Sequence, residues 1–187
     1  MLTISPDKQN IYIMGFMGCG KTTVGAFLAE KLNRPFIDTD TIIQEKTGLA
    51  ISDIFKKYGE TDFRTIEKDV VSEVSKLAGC IIALGGGAVL LSENWENISS
   101  TGFTVALSFS PEIISFRLKK DTKRPLLNNN SKNRLKNIKD IMGKRIPLYK
   151  KADLYLHYEK TLSPDMIADT IISHLNAKNW LNKNEKN

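Results

Sequence analysis

Cysteine is scarce in this 187-residue chain: Cys19 and Cys80 stand in separate contexts, and neither has a CxxC partner or a Cys/His neighbour. That pattern excludes a disulfide framework and a zinc site and predicts two reduced thiols. Long hydrophobic runs are also missing. The longest, at 81–84 and 89–91, fall far short of the ~20 apolar residues that a bilayer crossing requires. Residues 1–8 have no basic head followed by an apolar stretch, so no secretory leader is expected and the cytoplasm is the predicted location. Six prolines and twelve glycines are too few for a collagen-like or low-complexity chain. The guanine signature N-K-x-D is absent, and 187 residues leave little room for helicase or transporter machinery.

What remains is a globular composition, 41% apolar and 26% charged, of a length that buries roughly 70% of its unfolded surface without a staple. The charge is uneven. Residues 1–116 hold ten Lys and Arg against fourteen Asp and Glu, whereas residues 117–187 hold seventeen against seven. The second half is therefore strongly basic, which suits an anionic small molecule or a nucleic acid.

Apolar runs and breakers alternate along the chain. Ile11 to Met14 reads as a strand ending at Gly15, and a helix is predicted from Lys21 to Leu32, closed by Asn33-Arg34-Pro35. Phe36-Ile37 enters Asp38-Thr39-Asp40 as a second strand. Helical spacing follows up to Gly48, then from Ile51 to a break at Gly59, then from Phe63 to Leu77. Strands are expected at 80–84, 103–109 and 153–157, with helices at 89–100, 111–119, from about Arg134 to Gly143 or Lys144, and from Ser163 to about Leu175. This alternation predicts an α/β domain with a mostly parallel sheet. One domain over 1–176 is expected, with a polar, basic flap at about 119–134 and a frayed tail at 177–187.

Gly15-Phe16-Met17-Gly18-Cys19-Gly20-Lys21-Thr22 satisfies G-x-x-x-x-G-K-[ST] between a predicted strand and a predicted helix, where a phosphate-binding loop belongs. The backbone N–H groups of Gly18, Cys19, Gly20, Lys21, Thr22 and Thr23 are candidates to cradle phosphates beside the positive end of the helix. Lys21 would reach the outer phosphates, and the Thr22 hydroxyl is placed for Mg²⁺. A reactive thiol near a helix start is one reading of Cys19; a small filler whose backbone binds is the other.

Asp38 and Asp40 lie two apart, and on an extended strand both carboxylates would leave one face. Such a pair at a strand's carboxyl end serves phosphoryl transfer, one acid near the metal and one on the attacking hydroxyl. The alternative is an Asx turn capping the next helix. Gly85-Gly86-Gly87 lets a ligand approach the main chain and its free N–H groups. Arg64, Arg117, Arg124 and Arg145 are read at helix ends or the flap edge, where planar guanidinium forks suit carboxylates and phosphates. Together these residues point to an ATP-dependent transferase acting on a small anionic hydroxyl compound.

Six blocks carry a closer likeness: the loop at 15–22, Asp38-Thr39-Asp40, Phe63-Arg64-Thr65-Ile66-Glu67, Gly85-Gly86-Gly87, Arg124-Pro125-Leu126-Leu127 and Arg145-Ile146-Pro147-Leu148-Tyr149. In this order, over residues 11 to about 175, the chain resembles shikimate kinases. The resemblance implies a three-layer P-loop kinase fold, a five-stranded parallel sheet flanked by helices with a substrate-binding region and a mobile lid. It implies Mg²⁺-dependent transfer of the ATP γ-phosphate to the 3-hydroxyl of shikimate, by a cytoplasmic monomer serving chorismate biosynthesis. By position, Lys21, Asp40 and Arg124 would be catalytic. Thr22 would ligate the metal, with Asp38 near it through water. Arg117 would lie by the adenine and Arg124 would meet the phosphates. Arg64, Arg145 and the turn at Gly85, Gly86 and Gly87 would hold the acid. Another small-acceptor kinase, such as one for gluconate, is the nearest rival; a non-catalytic nucleotide-dependent nucleic-acid-binding protein is a distant one, and no recognition helix or stacking platform supports it.

Overall fold

In the computed structural model, which describes residues 9–120, 131–178 and 180–183, five parallel strands run in the order β2-β3-β1-β4-β5. They are β1 (Asn10–Gly15), β2 (Phe36–Asp38), β3 (Ile81–Ala83), β4 (Gly102–Phe109) and β5 (Leu154–Tyr158). The central strand, Asn-Ile-Tyr-Ile-Met-Gly, is buried at every position, as a strand covered by helices on both faces must be. Ile11 pairs with Ile81 on one side and with Phe103 on the other. The chain leaves β1 toward β3 and β2 and later returns to its other side through β4 and β5. This reversal opens a crevice at the carboxyl ends of the strands, where ligands bind in open α/β sheets.

The helices are α1 (Lys21–Leu32), α2 (Thr39–Thr47), α3 (Ile51–Val74), α4 (Ser92–Thr101), α5 (Pro111–Arg117), α6 (Ser131–Tyr149), α7 (Pro164–Ala177) and α8 (Trp180–Lys183). Asn33, at a φ of 50°, ends α1 in the left-handed region, a conformation that asparagine tolerates. The core is built from Ile11, Ile13, Leu28, Ile81, Val105, Leu107 and their neighbours. No helix among the described residues is long and apolar enough to cross a membrane.

Several expected boundaries shift. The second strand stops at Asp38, so Thr39 and Asp40 open α2 instead of continuing the strand. The expected break at Gly59 is a kink inside one long element, α3. The helix expected to stop at Gly143 or Lys144 runs on through Pro147 to Tyr149. Proline removes one helical donor and crowds the carbonyl four residues back. Here that carbonyl belongs to Gly143, and burial of Tyr149 anchors the last turn. Arg64 and Arg145 thus lie within helices rather than at their ends. Within the expected frayed tail, 180–183 form α8: Trp180 packs 5.4 Å from the Phe103 ring, and the Arg34 guanidinium lies 5.6 Å from the Trp180 ring. Of the predicted flap, residues 121–130, including Arg124, lie outside the described residues.

Candidate active site

The phosphate loop turns sharply between β1 and α1, with Gly18 and Gly20 at φ of 75° and 94°. Its interior is tightly filled. Cys19 is buried, which fits a small filler, but its N–H donates to Phe16 O at 3.2 Å and is not free for a phosphate as the backbone-binding reading expects. Lys21 Nζ donates to Gly15 O at 3.0 Å and to Phe16 O at 3.2 Å, folded back along the loop. Arg117, the last residue of α5, donates from Nη1 to Gly18 O at 3.4 Å and Cys19 O at 3.3 Å, with its guanidinium 4.2 Å from the centroid of Phe109. Thr23 is exposed on the first turn of α1.

The two aspartates are not the same-face strand pair that alternation suggests. Asp38 caps α2, its Oδ1 accepting from the Asp40 N–H at 2.9 Å, while its Oδ2 accepts from the Thr22 hydroxyl at 2.7 Å. The Asx-turn reading therefore holds, and Asp38 still faces the phosphate end of the crevice. Asp40, in the first turn of α2, faces the same cavity from the neighbouring wall. Thr22 and Asp38 offer a hydroxyl and a carboxylate side by side, hard oxygen donors of the kind Mg²⁺ takes alongside water and phosphate oxygens.

A cavity of about 530 Å³ brings Thr22, Asp38, Asp40, Arg64, Gly86, Gly87 and Arg145 together. Met17, Phe55 and Phe63 supply apolar wall. Arg64 is held in place by Glu67 at 2.6 Å and Glu60 at 3.0 Å. Glu67 is 1% exposed, and its Oε1 has no hydrogen-bond partner. Burial raises the pKa of Glu67, and the neighbouring Arg64 guanidinium pulls it partly back. At two of the three glycines an added side chain would meet the side chains of the site. A Cβ on Gly87 would lie 2.4 Å from Arg64 Nη1, and one on Gly85 would lie 2.5 Å from Glu67 Oε1 and 2.8 Å from Asp40 Oδ1. The expectation of free N–H groups fails at Gly85, whose N–H donates to the buried Thr39 hydroxyl at 2.9 Å.

Glu67, Thr39 and Tyr149 were not singled out as site residues by sequence reasoning. Glu67 carried a readable signal: it follows Phe63 by four and precedes Val70 and Val74 by three and seven, an acid on an apolar helical stripe. Thr39 and Tyr149 carried none, because one was placed in a strand and the other beyond a helix end.

The chain as a whole also matches a known family. The family model for shikimate kinase matches residues 17–176. A shikimate kinase of Caldicellulosiruptor saccharolyticus is 45% identical over 170 residues, covering 91% of this chain and 97% of the relative. One of Thermodesulfovibrio yellowstonii is 42% identical over 164 residues, covering 88% and 93%. The structure of shikimate kinase from Acinetobacter baumannii in complex with shikimate superposes with a TM-score of 0.86 at 36% identity, covering 92% of this chain and 96% of that one. On the phosphate loop, the acid-lined cavity and these matches over nearly the whole chain, it belongs to the shikimate kinase family.

Proposed function

We infer that this chain transfers the γ-phosphate of ATP to the 3-hydroxyl of shikimate, giving shikimate 3-phosphate and ADP. The observation that carries the reading is the shared cavity, in which Thr22 and Asp38 stand at the phosphate end and Asp40 stands with two guanidiniums, Arg64 and Arg145. A compound bearing one carboxylate and a ring of hydroxyls matches that layout. Its acid group meets two planar donors, and one hydroxyl falls to Asp40.

Phosphoryl transfer proceeds through a loose transition state, so positioning and charge compensation dominate. Asp40 orients the attacking hydroxyl and accepts its proton late, which asks little basicity of a carboxylate. Lys21 exchanges its two loop carbonyls for phosphate oxygens, and the amides of Gly18, Gly20, Lys21, Thr22 and Thr23 receive the phosphate chain, that of Cys19 being engaged by Phe16 O. Arg117 offers a guanidinium face already stacked on Phe109, a fit for the adenine, and Arg124 is assigned to the phosphates by position alone. Thr22 and Asp38 would hold Mg²⁺, which when bound neutralises charge on the phosphate oxygens. The two unbridged, buried thiols fit a reducing cytoplasm.

A coupled ADP-release assay with shikimate, quinate and gluconate side by side tests the reading. ADP release that depends on shikimate and exceeds that with the other two acids is expected. Preference for gluconate would replace the acceptor, and ATP turnover indifferent to all three would remove it.

A further inference from the structure

Behind the acceptor cavity, two side chains of α6 converge on one peptide. The Gly86 carbonyl accepts from Arg145 Nη1 at 3.0 Å and from the Tyr149 hydroxyl at 2.8 Å. Arg145 and Tyr149 stand four apart, so both leave the same helical face. Tyr149 is 2% exposed. Burial holds its phenol far above the usual tyrosine range, so the hydroxyl keeps its proton and remains a donor at any working pH. The phosphate-transfer chemistry gives Tyr149 nothing to do.

Fixing that carbonyl fixes more than one atom. In a trans peptide the C=O of one residue and the N–H of the next point in opposite directions, and no cis bond occurs among the described residues. Gly86 and Gly87 carry no side chains, so the plane between them is unusually free to rotate. The two donors from α6 set that plane and, with it, the direction of the Gly87 N–H. Both guanidiniums abut it: Arg145 Nη1 on the carbonyl, and Arg64 where a Gly87 side chain would otherwise stand. Arg145 lines the cavity while it donates to this carbonyl, so the Tyr149 hydroxyl is the one of the two donors that stays on the turn whatever Arg145 does with a ligand.

We propose that Tyr149 is a positioning residue for acceptor binding, its hydroxyl holding the Gly86–Gly87 peptide while Arg145 engages the acid. The proposal rests on the shikimate reading above. It deepens that reading by placing a determinant of acceptor affinity in a residue that does not line the cavity.

Tyr149→Phe keeps the ring and its packing and removes only the hydroxyl. The expected result is a shikimate KM raised about five- to tenfold, the loss of one well-formed hydrogen bond, with the ATP KM within about twofold of wild type. Hydrogen exchange of the ligand-free variant, followed in a peptide spanning 84–90, should speed up while the melting temperature falls by no more than the few degrees that one hydrogen bond contributes in a chain of this size. Unchanged kinetics with unchanged exchange would overturn the proposal. So would both KM values rising together with a larger fall in melting temperature, because Tyr149 would then be core filling alone. Wild-type enzyme run alongside separates the two readings. No shikimate-dependent turnover in wild type ends the functional reading and this proposal together, whereas normal wild-type turnover with an unaffected variant ends only the proposal.

Discussion

Asp38 and Asp40 are chemically identical and two residues apart, yet their surroundings give them separate work. Asp38 divides its two oxygens between the Thr22 hydroxyl and the Asp40 N–H, which aims it at the phosphate end. Asp40 shares the acceptor wall with Arg64 and Glu67. If Asp40 orients and deprotonates the acceptor as proposed, Asp40→Asn should lower kcat ~10²-fold or more with the melting temperature retained; steady-state kinetics beside a thermal melt check this, and near-normal turnover would take Asp40 out of the mechanism. Arg64 already serves Glu67 and Glu60 while facing the cavity, which only a fork of five donors allows. Arg64→Lys should raise the shikimate KM about tenfold or more, since a compact ammonium cannot reproduce the planar fork that meets a carboxylate, with the ATP KM nearly unchanged. Equal rises in both would show that Arg64 does not discriminate the acid. At this scale the sequence was readable where residue type alone states the chemistry, as in Lys21, Thr22 and the arginines. It was misleading where geometry depended on a boundary, because Asp40 reaches the cavity from a helix and not from a strand.

At the scale of the element, α3 carries the acceptor wall on both sides of a kink. Gly59 sits at φ 82° and ψ 179°, a region that is essentially restricted to glycine. Nothing lies within 4 Å of an added Cβ, so the cost of Gly59→Ala is conformational and not steric. That cost is about 2 kcal/mol, a fall in Tm of about 4–8 °C for a chain of this size. Phe55 precedes the kink and Phe63 follows it, their rings 4.4 Å apart, so a changed kink should also raise the shikimate KM more than the ATP KM. An unaltered Tm would show that the kink is not imposed by this residue. Gly59 could be recognised in the sequence as a break, because glycine weakens a helix and admits a backbone conformation closed to other residues. The run of α6 past Gly143 and Pro147 could not. The helix is expected to end at Gly143 or Lys144, and what accompanies its continuation is a tertiary contact, the burial of Tyr149 against the glycine turn. The docking of Trp180 against Phe103 and Arg34 is hidden from sequence for the same reason.

Across the whole molecule, the strand order does the assembling. β1 delivers the phosphate loop, β2 ends at Asp38, and the turn after β3 presents Gly86 and Gly87, so three neighbouring strands release their functional residues into one crevice. Alternating strand and helix patterns revealed this architecture early, since a parallel sheet needs a crossover between strands. Which faces meet across the crevice depended on packing. The uneven charge of the two halves also resolves in part: Arg117 and Arg145 bring guanidiniums from the basic half to a site whose acids, Asp38, Asp40 and Glu67, come from the other. The central claim is that one cavity holds the acid and the phosphate donor in line. A crystal structure with shikimate and a non-hydrolysable ATP analogue tests it most directly. The account predicts the carboxylate within hydrogen-bonding distance of Arg64 and Arg145, and a ring hydroxyl on Asp40 facing the terminal phosphate. Shikimate bound away from Asp40, or turned with its carboxylate toward the phosphate loop, would contradict it.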